Sequence, residues 1–190
     1  PAHEQMVDEH KKRLLRDLAG RILEIGPGTG PNLKFYPAGI RWIGIEPNLH
    51  MHPYLRREAA RLGIDVDLRA GLAEQIELKD ESVDAVVSTL VLCSVTDRDQ
   101  ALSEILRVLR PGGRFIYIEH VAASRGTFLR KVQAFLRPVW RICGDGCHPD
   151  RETWRAIRSA GFEQVDYRRF EIPLPVIKPH IAGEAFKPRN

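Results

Sequence analysis

Directly after an apolar run at 21–25 the chain reads Gly26-Pro27-Gly28-Thr29-Gly30. Glycines at alternate positions let a backbone enter positive φ and approach a ligand more closely than side chains would allow. A strand running into such a turn is the ligand end of an open α/β sheet, where small molecules sit beyond the carboxyl ends of strands. A dinucleotide fingerprint would place a third glycine at position 31, but Pro31 stands there, which argues against a nicotinamide or flavin dinucleotide. Pro31 suits the first residue of a helix, and Pro37 must stop that helix early.

The rest of the chain alternates apolar strands with amphipathic segments. Residues 3–18 carry Met6, Val7, Leu14, Leu15 and Leu18 among charges, the spacing of a helix with one apolar face. Strands are predicted at 21–25, 42–45, 64–70, 83–88 and 114–119. Helices are predicted at 49–62, closed by Gly63, and at 97–109, closed by Arg110-Pro111-Gly112-Gly113. A further helix at 128–142 is predicted to kink at Pro138, and a short one at 153–160 stops at Gly161. Two closing strands, 162–172 and 180–186, are joined by a proline-rich turn too short for a crossover helix, so they must pair antiparallel. This rhythm predicts an α/β fold: a Rossmann-like, doubly wound, mostly parallel seven-stranded sheet with an antiparallel edge hairpin. Residues 1–190 form one domain, with a cap helix in 1–19 and a lid over the substrate pocket in 124–151.

Composition narrows the function classes. With 190 residues, 43% hydrophobic, the chain can fill one core and has no room for a second domain. The net charge of +4 is spread rather than gathered on one face, so no nucleic-acid partner is expected. No run of eighteen apolar residues occurs and the start is polar, so a cytoplasmic, monomeric protein acting on a small molecule is expected. The stripe Phe128, Leu129, Val132, Phe135, Leu136, Val139 and Trp140 lies beside Arg130, Lys131, Arg137 and Arg141. Such a stripe packs on a sheet, lids an apolar pocket or rests on a membrane surface, so peripheral membrane contact stays open.

Particular side chains carry chemistry. Glu46 lies twenty residues beyond Gly26 at the end of the second strand, where a carboxylate accepts both hydroxyls of a ribose. Gly71-Leu72-Ala73-Glu74 follows the third strand. Ala73 is small enough to admit an adenine ring, and Glu74 either accepts from its amine or serves as an acid at a helix start. Cys143 and Cys147, one helical turn apart and followed by His148, could hold a soft metal or trivalent arsenic with Cys93. Structural zinc sites show such pairs in duplicate, and only one pair is present, so no metal is expected and the cysteines are read as buried small apolar groups.

In order and spacing, Leu23 to Gly30, Glu46, Ala73-Glu74, Ser82 to Val87 and Leu109-Arg110-Pro111-Gly112-Gly113 resemble the class I methyltransferases over nearly the whole chain. The resemblance implies S-adenosyl-L-methionine as cofactor and S-adenosyl-L-homocysteine as product. Glu24 and the turn residues Gly26, Pro27, Gly28, Thr29 and Gly30 would hold the methionine part. Glu46 with Pro47 and Asn48 would hold the ribose, and Gly71, Leu72, Ala73 and Glu74 the adenine, with Thr89 and Leu90 beside the amino group. The stretches Thr89 to Val95, Glu119 to Ala123, Asp145-Gly146-Cys147, Lys34 to Pro37 and Pro179-His180-Ile181 further resemble the methyltransferase-like 7 family of alkyl thiol methyltransferases. That family carries an apolar N-terminal membrane segment, and residues 1–190 contain no such stretch.

The resemblance makes a thiol the expected methyl acceptor. N-, O- or C-methylation of a lipid, quinone or small amine is the alternative, as is a non-catalytic cofactor-binding subunit. No Asp-Pro-Pro-Tyr-like tetrad follows the fourth strand. His120, just past the fifth strand, is the expected general base, and Asp145 would orient it or act in its place. Cys93, Trp140 and Cys147 are expected in the acceptor pocket.

Overall fold

The computed structural model describes residues 2–144 and 146–189. In chain order it contains α1 (Ala2–Leu15), β1 (Arg21–Ile25), a single 3-10 turn (Leu33–Phe35), β2 (Arg41–Ile45), α2 (His52–Leu62) and β3 (Val66–Arg69). Then come β4 (Val83–Thr89), α3 (Arg98–Val108), β5 (Leu109–His120), α4 (Phe128–Cys143), α5 (Thr153–Ser159), β6 (Gln164–Glu171) and β7 (Pro179–Phe186). The seven strands form one sheet in the order β3-β2-β1-β4-β5-β7-β6. Strands β1 to β5 run parallel, while β7 is antiparallel to both β5 and β6. The order reverses between β1 and β4, which places the carboxyl ends of β1, β2 and β4 around one crevice.

The sheet is apolar on both faces because helices cover both. On one face Leu102 and Ile105 of α3 and Ile157 of α5 pack with Leu23, Val86 and Phe115. On the other, Leu15 and Leu18 meet Ile22, Ala85, Val87 and Ile116, and Leu55 and Ala59 of α2 meet Trp42 and Leu68. Burying an apolar side chain of this size stabilises by about 1.5–3 kcal/mol, so the predicted central strands read as near-continuous apolar runs for a reason. Local signals set the helix ends. Gly63 closes α2 at φ +67°, and the Asp97 side chain accepts from the Asp99 and Gln100 amides at the start of α3.

The structure departs from the predicted boundaries at two notable places. The helix after the glycine turn shrinks to one 3-10 turn. Arg110-Pro111-Gly112-Gly113 does not separate helix from strand, because β5 begins at Leu109, paired with Val83. The pairing resumes at Ala85 with Arg114, so residues 110–113 form a bulge in which Pro111 needs no ladder hydrogen bond. Of the three roles open to the stripe in 128–142, packing on the sheet is not the one α4 takes: Phe128, Phe135, Val139 and Ile142 are exposed. What α4 buries is Gln133, which accepts from the Ala123 amide at 2.8 Å and donates to the Val176 carbonyl at 2.9 Å. Among the described residues no helix is long and apolar enough to cross a membrane.

Candidate active site

A cavity of about 380 Å³ opens at the carboxyl ends of β1, β2 and β4. Its near edge is the glycine turn. Gly26 has φ +58°, and a Cβ there would stand 2.6 Å from Val91 Cγ2, so only glycine fits. Gly28 has φ +56°, and a Cβ on it would meet nothing within 4 Å, so its backbone faces open space where a ligand can lie against it. Glu46 reaches across to this turn. Its Oε2 accepts from the Gly28 amide at 2.9 Å and its Oε1 from the Asn48 amide at 2.8 Å, which fixes the carboxylate at the mouth of the cavity.

The far wall is apolar. Ile45, Met51, Leu72, Ala73, Val91 and Val95 line it, with Pro47, Glu74, Leu90, Ser94 and Thr96 at the margins. Leu90 sits at φ +60°, unusual for a residue with a Cβ, and its amide donates to the Ile118 carbonyl. The loop it begins is organised by buried Glu119, whose Oε1 accepts from Ser88 Oγ and from the Val91 and Leu92 amides. Burial pushes that carboxyl up, opposed by those hydrogen bonds.

Beneath the same loop lies a second group. Cys93, His120 and Cys147 are all buried, and one donor atom from each lies within 4.8 Å of the others. His120 Nε2 stands 2.8 Å from Cys147 Sγ. The hydrogen bond between the two thiols pushes Cys93 up, with burial adding, and holds Cys147 down, against burial and with help from Trp140.

Residues 23–117 match the family profile described as a methyltransferase domain. Human thiol S-methyltransferase TMT1A is 39% identical over 197 residues, covering 97% of this chain and 81% of that protein. The chain belongs to the S-adenosylmethionine-dependent methyltransferases. Mouse thiol S-methyltransferase TMT1B is 41% identical to this methyltransferase over 194 residues, covering 94% of this chain and 79% of that one. The crystal structure of YcgJ from Bacillus subtilis superposes with a TM-score of 0.76 at 16% identity, covering 99% of this chain and all of that one, a likeness of fold.

S-adenosylmethionine is the cofactor of this methyltransferase, and the cavity fits it. A glycine cradle that a side chain would fill, a fixed carboxylate and an apolar slot match its zwitterionic amino-acid end, its ribose and its adenine. Of the residues singled out in the sequence, the cavity gathers Gly26, Gly28, Glu46, Pro47, Asn48, Leu72, Ala73, Glu74 and Leu90. Glu24, Pro27, Thr29, Gly30, Gly71 and Thr89 do not line it. Glu24 is buried and accepts from Asn32 Nδ2, Tyr36 Oη and Trp42 Nε1, so it braces the turn from behind. Asn32 extends the brace to Thr89 Oγ1. Glu74 Oε1 accepts from the Thr96 and Asp97 amides, at the entry of α3 rather than at a helix of its own.

His120 ends β5, but its ring faces Cys147 and does not line the cavity. Cys93 and Cys147 likewise face each other, and half-buried Trp140 serves Cys147. Asp145 lies outside the described residues. Cys143, grouped with Cys147 by its spacing in the sequence, is exposed. Sequence reasoning missed Met51, the Ser94 to Thr96 wall and the Asn32-Tyr36-Trp42 brace. Position beyond β4 was a signal for the wall, whereas the brace depends on three segments meeting.

Proposed function

We propose that this protein methylates a small, apolar thiol with the methyl group of S-adenosylmethionine. What carries the reading is identity of 36–41% over almost the whole chain to relatives named thiol S-methyltransferases. The apolar wall beside Leu90 and Val91 supports it, since that end of the cavity suits an acceptor without polar handles.

In this reading Glu46 accepts from the ribose hydroxyls, and the Gly26 and Gly28 backbone holds the amino-acid end. Leu72 and Ala73 flank the adenine, and Glu24 acts only by stiffening the turn. The cofactor supplies a sulfonium-bound methyl, transferred by in-line displacement, so the protein contributes chiefly position. An ordinary thiol is already a few per cent ionised near neutrality, so the reading does not require a base in the cavity. His120, turned toward Cys147, is therefore given no direct role in proton removal.

Release of S-adenosylhomocysteine with a small thiol, an amine and a phenol, each across pH 6 to 9, tests this. Turnover is expected with the thiol alone, rising with pH as the thiol ionises. Turnover confined to the amine or phenol overturns it.

The exposed row Phe128, Phe135, Val139 and Ile142, flanked by Lys131 and Arg141, supports a second reading: α4 rests on an anionic bilayer. Flotation with anionic vesicles, expected for wild type and lost on replacing those four residues by serine, tests it. No flotation of wild type removes it.

A further inference from the structure

We propose that Cys93, His120 and Cys147 form a three-donor site for a soft divalent cation of the zinc class. Three separate segments supply the donors: the loop after β4, the end of β5 and the loop after α4. All three residues are buried, with exposures of 2%, 3% and 8%, and their donor atoms lie within 4.8 Å of one another. Two sulfurs and one imidazole nitrogen are the set such cations select. Tetrahedral coordination spaces donors about 3.5–3.8 Å apart. The donors already lie within 4.8 Å of one another, and the 2.8 Å His120–Cys147 contact has to open by about 0.7 Å to reach that spacing.

The surroundings hold the donors in place without a covalent link. The His148 amide donates to the Cys93 carbonyl at 2.9 Å, and Arg151 Nη1 donates to the Leu92 and Val95 carbonyls. The Ala122 amide donates to the Arg151 carbonyl, tying the β5 end to the same strap. His120 Nε2 is the ring nitrogen that faces Cys147 Sγ, while Nδ1 is buried with no partner among the described residues, so ligation through Nε2 requires the ring proton to sit on Nδ1.

A divalent cation held by two thiolates leaves no net charge in the interior, and the two thiol protons leave to solvent. Three protein donors leave one tetrahedral corner for water or an external thiolate, the arrangement of open rather than structural zinc sites. The duplicated cysteine pairs that a structural site would show are not needed, because the third donor comes from another strand.

Titration of the whole, metal-free protein with Co²⁺, followed by absorption, tests the site without reference to turnover. Expected are thiolate-to-cobalt charge-transfer and tetrahedral bands saturating at one equivalent and bleached by Zn²⁺. Cys93→Ala, His120→Ala and Cys147→Ala should each weaken binding by about 100-fold or more, while Cys143→Ala leaves it unchanged. Circular dichroism and cofactor affinity show that each variant folds. Should a variant fail to fold, the wild-type spectrum decides alone, since only thiolate ligation gives the charge-transfer band. No thiolate band in wild type, or a loss on Cys143→Ala equal to that on Cys93→Ala, overturns the proposal.

Discussion

Beyond β1 and β2 the carboxyl edge of the sheet is open and polar. Glycine amides and the Glu46 carboxylate face a cavity, and the side chains behind them, Asn32, Tyr36 and Trp42, spend their donors on Glu24. Beyond β5 the same edge is closed: sulfur and imidazole meet one another under a loop, and α4 above them turns its apolar row outward. Backbone geometry builds the first region, so its parts stay close in sequence. Side chains from distant segments build the second, held by polar contacts where an apolar interface would be the default.

The contrast breaks most readily at Glu46. Its replacement by alanine removes the acceptor for two amides and, in the proposed reading, for the ribose, and should weaken S-adenosylmethionine binding by about 100-fold, since hydrogen bonds to charged groups are worth about 1.5–3 kcal/mol. Calorimetry would show it, and a loss below tenfold would mean that the glycine backbone alone holds the ligand.

On the closed side, Gln133→Ala strands the Ala123 amide and the Val176 carbonyl. A loss of about 2 kcal/mol in urea denaturation is expected, and no loss would show that α4 is not docked by this residue.

A smaller effect sits behind the cavity wall. Glu104 accepts from the Ile76 amide and pairs with Arg107, which also donates to the Ile76 carbonyl. The Arg107 hydrogen bond holds the Glu104 carboxyl below its ordinary value, opposed by burial. A depressed carboxyl stabilises the fold above its unfolded pKa, and that contribution is lost as pH falls through the folded value. Glu104→Gln should therefore cost about 1 kcal/mol at pH 7, with the gap to wild type closing in acid below about pH 4. A gap that persists there would assign the effect to packing.

Smallest of all should be Phe128→Ser, Phe135→Ser and Ile142→Ser, each within about 0.5 kcal/mol of wild type because nothing is uncovered. A drop above about 2 kcal/mol in any of them would show that α4 packs its apolar row in solution, one of the roles the stripe allowed.

Much of this was legible in the residues and some was not, for identifiable reasons. The strand ending at Ile25 with its glycine turn, and Glu46 at the end of the neighbouring strand β2, could each be picked out from a strand and the residues just after it. Glu24 could be picked out but not assigned, because its three donors come from positions 32, 36 and 42. The cysteines were read as buried apolar groups, which holds for Cys93 and Cys147 but not for Cys143: it stands one turn before Cys147, yet α4 ends between them, leaving Cys143 exposed and Cys147 turned inward.

By itself the sequence determined the mostly parallel sheet and its antiparallel closing pair, and it picked out the glycine turn and Glu46 that meet at the cavity. Apolar periodicity and glycine conformation act over a few residues and need no partner to be read. Only the tertiary structure decided that β7 rather than β6 lies against β5, that α4 keeps its apolar row in solvent, and that Cys93, His120 and Cys147 meet. Those outcomes depend on which distant segments the closed sheet brings within bonding distance, and no local preference encodes that.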